Sequence, residues 1–458
     1  MAILGGGPGG YEAALVATQL GAEVTVIDED GLGGACVLTD CVPSKTLIES
    51  SIAMTSLGRS ASLGLQLENG DNPMVDVDAP ALYARIKALA AAQSNDIAER
   101  VEAEGVRIIQ ARGSLTGPHT IEAAGTAVHA DVVLIATGAF PRVLPGAVPD
   151  GERILTCRQV YDLDDLPEEL IVVGSGVTGA EFASAYQALG TQVTLVSSRE
   201  RVLPHEDKDA AVVIEGVFRR RGMNVLGRSR AESVHRKGDG VVVTLTDGRT
   251  VTGSHCLLTV GMVPSTASIG CEPAGVNLDR RGFVDVDRVS RTSAPGVYAA
   301  GDCTGVLMLA SVAAMQGRIA MWHALGEAVQ PLRLSHVAST IFTDPEIASV
   351  GVSQAAVDRG EVAARVVKQP LATNPRAKMG GFRDGFVKIF ARPGTGLVLG
   401  GVVVAPRASE LILPISLAIE QNLSVDQLAH TFSVYPSLSG SVTEAARTVM
   451  EFGPDAIL

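Results

Sequence analysis

The sequence has few aromatic residues, no excess of basic charge and no long apolar run. Aromatic residues make up 4% of its 458 positions and charged residues 19%, whereas 46% are hydrophobic. A disordered chain would be less hydrophobic and more charged, so the composition indicates a globular protein with two or three domains. The net charge of -13 argues against a nucleic-acid partner, because neutralising phosphates requires a basic surface.

The sequence also lacks the segments that carry a chain into or across a membrane. Its longest apolar stretches, near residues 397–406 and 411–419, are shorter than the ~20 residues of a transmembrane helix. The N-terminus has no basic segment followed by a long apolar one, as a secretory signal would. We therefore expect a cytoplasmic chain without a transmembrane segment.

Cysteine is scarce, with six residues in the whole chain, which is too few for a disulfide framework. Four of them lie singly in mostly apolar contexts and are expected to be small buried side chains: Cys157, Cys256, Cys271 and Cys303. We expect no bound metal.

Glycine, in contrast, is abundant, and its 50 residues favour a parallel α/β fold with many tight strand-to-helix turns. The first cluster is Gly5-x-Gly7-x-x-Gly10, between a short apolar strand and a segment with helical spacing. A second strand follows and ends at Asp28. This order is the dinucleotide-binding fingerprint, since the glycines permit a tight turn and the approach of a pyrophosphate, and the acid can accept hydrogen bonds from a ribose.

The same pattern recurs 169 residues later as Gly174-x-Gly176-x-x-Gly179, again between a strand and a helix. Two dinucleotides are therefore expected. After the second strand of this unit, Ser197 and Arg199 replace the acid that would favour NAD over NADP. Serine and arginine can accept a 2′-phosphate, which favours NADPH, or both nicotinamides. The alternative is that the arginine belongs to an ordinary solvated turn.

Two further cysteines, Cys36 and Cys41, lie five positions apart in the segment GGACVLTDCVPSK. On a regular helix their Cα atoms would be about 8–9 Å apart, beyond the ~7 Å limit of a disulfide. A bond between them therefore requires an irregular helix start, which the glycine pair before them permits. The alternative is two buried structural thiols.

Three motifs carry a resemblance that spans the chain: Cys36-x4-Cys41-x-Pro43-Ser44-Lys45, Ala136-Thr137-Gly138 and Tyr298-Ala-Ala-Gly301-Asp302. With the two fingerprints, they make the chain resemble the flavoprotein disulfide reductases, and lipoamide dehydrogenases most of all. The resemblance implies two Rossmann-like domains, one for FAD and one for NAD(P), and a C-terminal α+β dimerisation domain. Their expected bounds are 1–145 with 268–335 for the FAD domain, 146–267 for the NAD(P) domain and 336–458 for the dimerisation domain.

The resemblance also implies roles for individual residues. Cys41 would be the thiol facing the flavin and Cys36 the thiol that attacks a disulfide, while Lys45, paired with Glu181, would lie near the flavin. Asp302 would hold the ribityl chain, and a helix starting near Leu307 would direct its N-terminus at the flavin. The expected cofactor-binding set is completed by the fingerprint residues and by Lys45, Ala136, Thr137, Gly138, Gly261, Leu309 and Ala310.

The chain departs from the family at the group that handles protons. Disulfide exchange needs a proton donor and acceptor, which the family supplies as a C-terminal His-Pro-x-x-x-Glu segment from the partner subunit. Here Tyr435 occupies the histidine position and Gly440 the glutamate position. A tyrosine, with a pKa near 10, is a poor general base around neutrality. Ser311 and Met262 also stand where lipoamide dehydrogenases tend to have histidine and many members arginine.

These departures favour the quinone-reducing branch of the family, a homodimer that transfers electrons from NADH or NADPH through FAD to a quinone. Two alternatives stay open. One is a true disulfide reductase, such as dihydrolipoamide dehydrogenase, with an unrecognised base, and the other is a noncatalytic flavin-bound redox sensor or complex subunit. Only four residues precede the first glycine, so a longer N-terminus is expected to improve FAD retention.

Overall fold

The computed structural model describes residues 1–65 and 76–450. In chain order its strands, β1 to β23, are Ala2–Leu4, Thr25–Asp28, Arg107–Gln110, Gly113–Gly117, Thr120–Ala123, Thr126–His129, Val133–Ile135, Ala139–Pro141, Ile154–Thr156, Glu169–Val173, Gln192–Val196, Asn224–Leu226, Ala231–Lys237, Gly240–Leu245, Thr250–Gly253, His255–Leu258, Met262–Pro264, Val297–Ala299, Ser339–Ile341, Glu346–Gly351, Arg365–Pro370, Phe386–Ala391 and Val398–Ala405. Its α-helices, α1 to α13, are Pro8–Gln19, Gly34–Leu38, Cys41–Gly58, Ala79–Ala103, Val177–Ala188, Lys208–Arg220, Ala310–Ala324, Gln354–Asp358, Pro375–Met379, Ala408–Leu411, Leu413–Glu420, Val425–Ala429 and Gly440–Val449.

The first sheet is parallel, with the strand order β18-β7-β1-β2-β3. Its central strand β1 is buried along its whole length, and α1 and α7 pack against each other on one face of this sheet. Strands covered on both faces are shielded from water, so their sequences are short apolar runs in which polar and apolar residues do not alternate. The carboxyl ends of these strands form the edge where a ligand binds in such sheets.

The second sheet repeats this architecture with the order β12-β11-β10-β16-β9, again entirely parallel. The chain leaves the first sheet after β7, builds the second between β9 and β16, and returns to the first at β18. An antiparallel pair, β8 with β17, lies at the two crossings between the sheets. The expectation of two Rossmann-like units is confirmed.

The C-terminal unit is a five-stranded antiparallel sheet with the order β19-β20-β23-β22-β21. Helices α10 to α13 pack around it and share its apolar core. The expected α+β unit is therefore confirmed, although residues 451–458 lie outside the described residues. Among the described residues, no helix combines the length and the apolar character needed to cross a membrane.

A buried ion cluster joins the second sheet's unit to the C-terminal sheet. The ammonium of Lys388, on β22, lies 2.7 Å from a carboxylate oxygen of Asp207 and 2.8 Å from one of Asp209. The Lys388 side chain is only 2% exposed, and Asp207 also accepts backbone hydrogen bonds at the start of α6. Burying a charge this deeply costs several kcal/mol unless an opposite charge lies beside it, as the two carboxylates do here.

We predict that replacing Lys388 by Met destabilises the protein by about 3–5 kcal/mol, because the change leaves the buried carboxylate of Asp207 without its cation. Urea unfolding of the FAD-loaded protein, followed by circular dichroism, would measure this loss. Lys368→Met is the matched control, since Lys368 pairs with the same Asp209 at 3.2 Å but is 47% exposed, and it should cost under about 1 kcal/mol. Equal losses in the two variants would contradict the prediction.

Candidate functional site

The first glycine loop connects β1 to α1 and leaves an open space at its tip. A Cβ atom at Gly10 would lie 1.9 Å from the carbonyl oxygen of Gly5, and one at Gly5 would lie 2.3 Å from that of Ala136. Packing of helix against strand therefore excludes side chains at both positions. At Gly7, in contrast, a Cβ atom would meet nothing within 4 Å. The free space at Gly7, beside the N-terminus of α1, fits a pyrophosphate.

The second glycine loop, between β10 and α5, has the same geometry. A Cβ atom at Gly179 would lie 1.9 Å from the carbonyl oxygen of Gly174, and one at Gly174 would lie 2.3 Å from that of Thr259. A Cβ atom at Gly176 would again meet nothing within 4 Å. The two loops thus present two equivalent phosphate-sized spaces, each at a helix N-terminus.

Asp28 lies at the end of β2, where the fingerprint predicts it, but its carboxylate is already engaged. One oxygen accepts the backbone N–H of Gly6 at 2.6 Å, and the other accepts those of Asp30 and Gly31 at 2.9 and 2.8 Å. A carboxylate has about four acceptor positions, so one remains for a ribose hydroxyl. Asp28 therefore shapes the glycine loop itself, a role that sequence spacing did not reveal.

Buried polar groups without partners lie at the carboxyl ends of β7 and β18. The hydroxyl of Thr137, between Ala136 and Gly138, is buried and has no hydrogen-bond partner among the described residues. Burial, with the nearby Asp40 carboxylate, raises the pKa of Asp302 to about 6, and no hydrogen bond to this side chain is seen within the described chain. Such groups fit a polar ligand, since buried polar atoms otherwise pair within the protein.

Helix α7 begins close to these groups. It starts at Ala310, with Leu309 as the extended N-cap residue and no side chain capping its free N–H groups. The sequence predicted a start near Leu307, so the ordered helix begins three residues later. A 15-residue helix with an uncapped N-terminus stabilises negative charge placed there.

The residues expected at the 2′-phosphate differ in accessibility. Ser197 is fully buried, and its hydroxyl lies 2.7 Å from that of Ser175 and donates toward the carbonyl of Arg199. A direct contact between Ser197 and a nucleotide is thus excluded by burial, and this residue shapes the turn instead. Arg199 is exposed and makes no side-chain hydrogen bond with the described residues. Gly261, with φ 103°, follows β16 and leaves open space beside it.

The thiol segment adopts the irregular helix start that the spacing requires. Gly33 is in the left-handed region with φ 95°, and α2 ends at Leu38 before α3 begins at Cys41. Cys36 therefore lies in the short helix α2 and Cys41 at the first residue of the 18-residue helix α3, and both thiols are half-buried, without a disulfide bond between them. Asp40, the N-cap residue of α3, makes no capping bond.

The two thiols differ in acidity. A hydrogen bond from Cys41 lowers the pKa of Cys36, against the opposing effects of burial and of Asp40. The same bond, with burial and the Asp40 charge, raises the pKa of Cys41. The hydrogen bond therefore favours ionisation of Cys36 over ionisation of Cys41, which acts as the donor. Sequence reasoning missed Asp40, whose signal is an acidic residue directly before the second cysteine.

The expected ion pair between Lys45 and Glu181 is present. The ammonium of Lys45 lies 2.8 Å from Glu181 and 4.9 Å from the ring centre of Phe342. The other oxygen of Glu181 accepts the backbone N–H of Phe342 at 2.9 Å. Burial favours neutral lysine, but the charge of Glu181 and its hydrogen bond to the ammonium outweigh burial and raise the pKa of Lys45. This site therefore holds a fixed positive charge next to Cys41.

The C-terminal segment is not joined to the thiols within one chain. Tyr435 is 84% exposed and makes no side-chain hydrogen bond with the described residues, and Phe432 and Val434 beside it are also exposed. Gly440 begins α13. The described residues contain no group of three or more His, Cys, Asp or Glu side chains arranged to hold a metal.

Comparison with known proteins identifies the family. Residues 1–317 match the model of the pyridine nucleotide-disulphide oxidoreductases, and residues 337–446 match the dimerisation domain of the same family. The chain is 59% identical to an NAD(P)H dehydrogenase (quinone) of Mycobacterium tuberculosis, over 98% of this chain and 93% of that protein. It is 31% identical to the dihydrolipoyl dehydrogenase of Chlamydia pneumoniae, over 97% of this chain and 95% of that protein.

Solved structures of similar proteins share the fold of this chain. The crystal structure of LpdA from Mycobacterium tuberculosis superposes with a TM-score of 0.93, at 58% identity over 98% of this chain and 99% of that one. The flavoprotein disulfide reductase RclA from Escherichia coli, 24% identical over 98% and 99%, shares the fold with a TM-score of 0.87. With its two glycine loops, its thiol pair and its C-terminal sheet, this chain belongs to the pyridine nucleotide-disulphide oxidoreductases, flavoproteins that use FAD and a nicotinamide nucleotide.

Proposed function

We propose that this chain is an FAD-dependent NAD(P)H dehydrogenase that passes electrons from NAD(P)H to quinone-type acceptors. The observation that carries the proposal is the C-terminal segment, where Tyr435 and Gly440 replace the histidine and glutamate needed for disulfide exchange. The nucleotide-binding half retains both open glycine loops and the buried ion pair. The Mycobacterium tuberculosis relative, which is named for a quinone, supports the same acceptor class.

The residues of the chain divide the work between binding and charge stabilisation. The open spaces at Gly7 and Gly176 take the pyrophosphates of FAD and of the nicotinamide nucleotide. The chemistry that FAD would supply when bound there is the coupling of NAD(P)H oxidation to the reduction of a second substrate. Lys45, held by Glu181, supplies a fixed positive charge beside Cys41, and the N–H groups at the start of α7 supply a partial one. Neither role requires the missing histidine.

Disulfide reduction remains the second candidate, and the lowered pKa of Cys36 favours it, because a thiolate is the species that attacks a disulfide. Against it, Tyr435 stands where the histidine supplied by the family's partner subunit would be, and the departing thiol needs a proton. A noncatalytic redox sensor is the third candidate. It would bind FAD and turn over poorly with every acceptor.

We further propose the domain bounds 1–145 with 268–335, 146–267 and 336–458, and a homodimer in which the exposed Phe432–Tyr435 segment lies against the second copy. The family's dimerisation domain and the 104% exposure of Phe432 support this assembly. The cytoplasm is the proposed compartment, since six cysteines in 458 residues are too few for the disulfide framework typical of small secreted domains.

NADPH, or both nicotinamide nucleotides, is the proposed electron donor. Arg199 follows Ser197, the position where an acid would repel a 2′-phosphate, and it is exposed and makes no side-chain hydrogen bond with the described residues. Arg201, two residues later, is half-buried and adds a second positive charge at the same turn. With Ser197 buried, the arginine side chains are the groups left to make this contact.

The first prediction from the proposed function concerns the electron acceptor. Anaerobic FAD-loaded protein is reduced with NADPH and mixed rapidly with menadione or with lipoamide, while flavin absorbance is followed. We expect fast reoxidation by menadione alone, since no base is present to serve the disulfide. Fast reoxidation by lipoamide would show that the chain is a disulfide reductase instead. Menadione turnover no faster than that of free FAD would favour the noncatalytic redox sensor.

The second prediction concerns nucleotide preference. Arg199→Ala should raise the KM for NADPH about tenfold or more, the cost of losing a charge-assisted bond to phosphate, and leave the KM for NADH unchanged. Steady-state menadione reduction with each nucleotide would measure both values. Arg107→Ala, an exposed arginine on the first sheet, serves as the control. Equal changes with the two nucleotides would contradict a 2′-phosphate contact.

The third prediction concerns the thiols. In the reduced protein, Cys36 should react with iodoacetamide faster than Cys41 at pH 7, because its pKa is lowered and only the thiolate reacts. Removing the donor with Cys41→Ala should raise the pKa of Cys36 and slow its alkylation several-fold. Cys41→Ser keeps a hydroxyl donor and should slow it less. Mass spectrometry of quenched samples reads each site, and an unchanged rate in Cys41→Ala would refute the assignment.

A further inference from the structure

A groove of about 840 Å³ runs between α7 and the segment of residues 327–338, which leads into the C-terminal sheet. We call it the α7 groove. Ser311, in the first turn of α7, and Trp322, near its end, both line it. Its volume lies within the ~300–1,000 Å³ of typical small-molecule sites. None of the residues expected from the sequence to bind a cofactor lines it.

The long wall of the α7 groove is apolar. Met315, Ile319 and Trp322 follow each other at helical spacing and so lie on one face of α7. Val329 and Leu332 face them from the opposite segment. Trp322 is the single tryptophan of the chain, and its large flat ring is suited to stacking against another planar ring.

The polar part of the α7 groove contains a histidine held by a carboxylate. Nδ1 of His336 lies 2.6 Å from a carboxylate oxygen of Glu420, which fixes Nδ1 as the donor. The hydrogen bond from His336 lowers the pKa of Glu420, so this carboxylate stays ionised. Nε2 of His336 has no partner among the described residues. It accepts a hydrogen bond when the ring is neutral and donates one when the ring is protonated.

We propose that the α7 groove is the binding site for the electron acceptor, a planar aromatic ring carrying carbonyl oxygens, that is, a quinone. The ring would pack along Met315 and Trp322, and a ring oxygen would bond to Nε2 of His336. This inference rests on the proposed function and assigns it a site.

Three features favour this occupant. One end of the α7 groove is lined by Ser311, the second residue of α7. The proposed function places this N-terminus of α7 against the flavin, so the groove begins next to the proposed flavin site. It combines one long apolar wall with few polar groups, the composition typical of small-molecule pockets. With Nδ1 engaged by Glu420, Nε2 of His336 is a hydrogen-bond acceptor in the neutral ring and so suits a ring hydroxyl of the reduced product.

Binding is tested first without turnover. Menadione is titrated into the FAD-loaded protein while the fluorescence of Trp322 is recorded, and the Trp322→Phe variant provides the blank. We expect saturable quenching, because the chain has one tryptophan and it lines the proposed site. Quenching that rises linearly without saturation would overturn the proposal.

Two variants then test the site. Met315→Phe narrows the groove and His336→Gln removes the ring nitrogen. Each should raise the KM for menadione about fivefold or more and shift the quenching midpoint by the same factor, with the KM for NADPH unchanged. Val212→Phe and His235→Gln make matched changes at exposed positions away from the groove. Ferricyanide reduction, which does not need a ring pocket, should be unchanged in all four.

The outcomes separate this inference from the proposed function. If the wild type reduces menadione rapidly but neither groove variant changes its KM, the acceptor binds elsewhere and the inference fails while the function stands. If the wild type fails to reduce menadione, the proposed function fails whatever the quenching shows. If light scattering shows that Met315→Phe separates a dimer, the groove is covered by the second copy, and the proposal is overturned.

Discussion

The buried carboxylate of Glu181 is the contact on which the arrangement of the site depends. It lies on α5, beside the second glycine loop, and binds Lys45 on the helix that carries Cys41. Its other oxygen accepts the N–H of Phe342, immediately after the first strand of the C-terminal sheet. One side chain therefore connects the first unit, which carries the thiols, to the inserted unit and to the C-terminal unit. Because Glu181 is almost inaccessible to water, its two bonds are worth more than exposed ones would be, and its loss would weaken the contacts of all three segments at once.

The sequence allowed most of this site to be predicted, because the responsible residues follow local rules. The fingerprint glycines needed only their spacing, and the structure explains Gly5 and Gly10 by close approaches of 2.3 and 1.9 Å to carbonyl oxygens. The irregular start at Gly33 followed from the geometry of a disulfide. Burial was harder to predict. Ser197 is a surface-type residue in a turn, yet the side chain of Ser175 and neighbouring carbonyls enclose it, and no local pattern encodes that.

The chain keeps the parts of a flavoprotein that receive electrons and has lost the parts that move protons for disulfides. Both open glycine loops and the fixed charge of Lys45 are present, whereas Tyr435 and Gly440 replace the histidine and glutamate of the family. The thiols nevertheless retain unequal acidities. Asp40 opposes ionisation of both, so the reduced pair is held closer to its protonated state than the hydrogen bond alone would leave it. A pair of this kind can store electrons without being a strong nucleophile.

The cluster of Lys388 with Asp207 and Asp209 has a consequence for how the chain can vary. Its cation comes from the C-terminal sheet and its anions from the start of α6, some 180 residues earlier. A change at Lys388 alone leaves a buried negative charge, and a change at Asp207 alone weakens the pairing of a buried positive one. Either single step passes through a less stable protein. A tolerated change at either position therefore requires a compensating change at the other, and the same cluster fixes how the inserted unit packs on the C-terminal sheet.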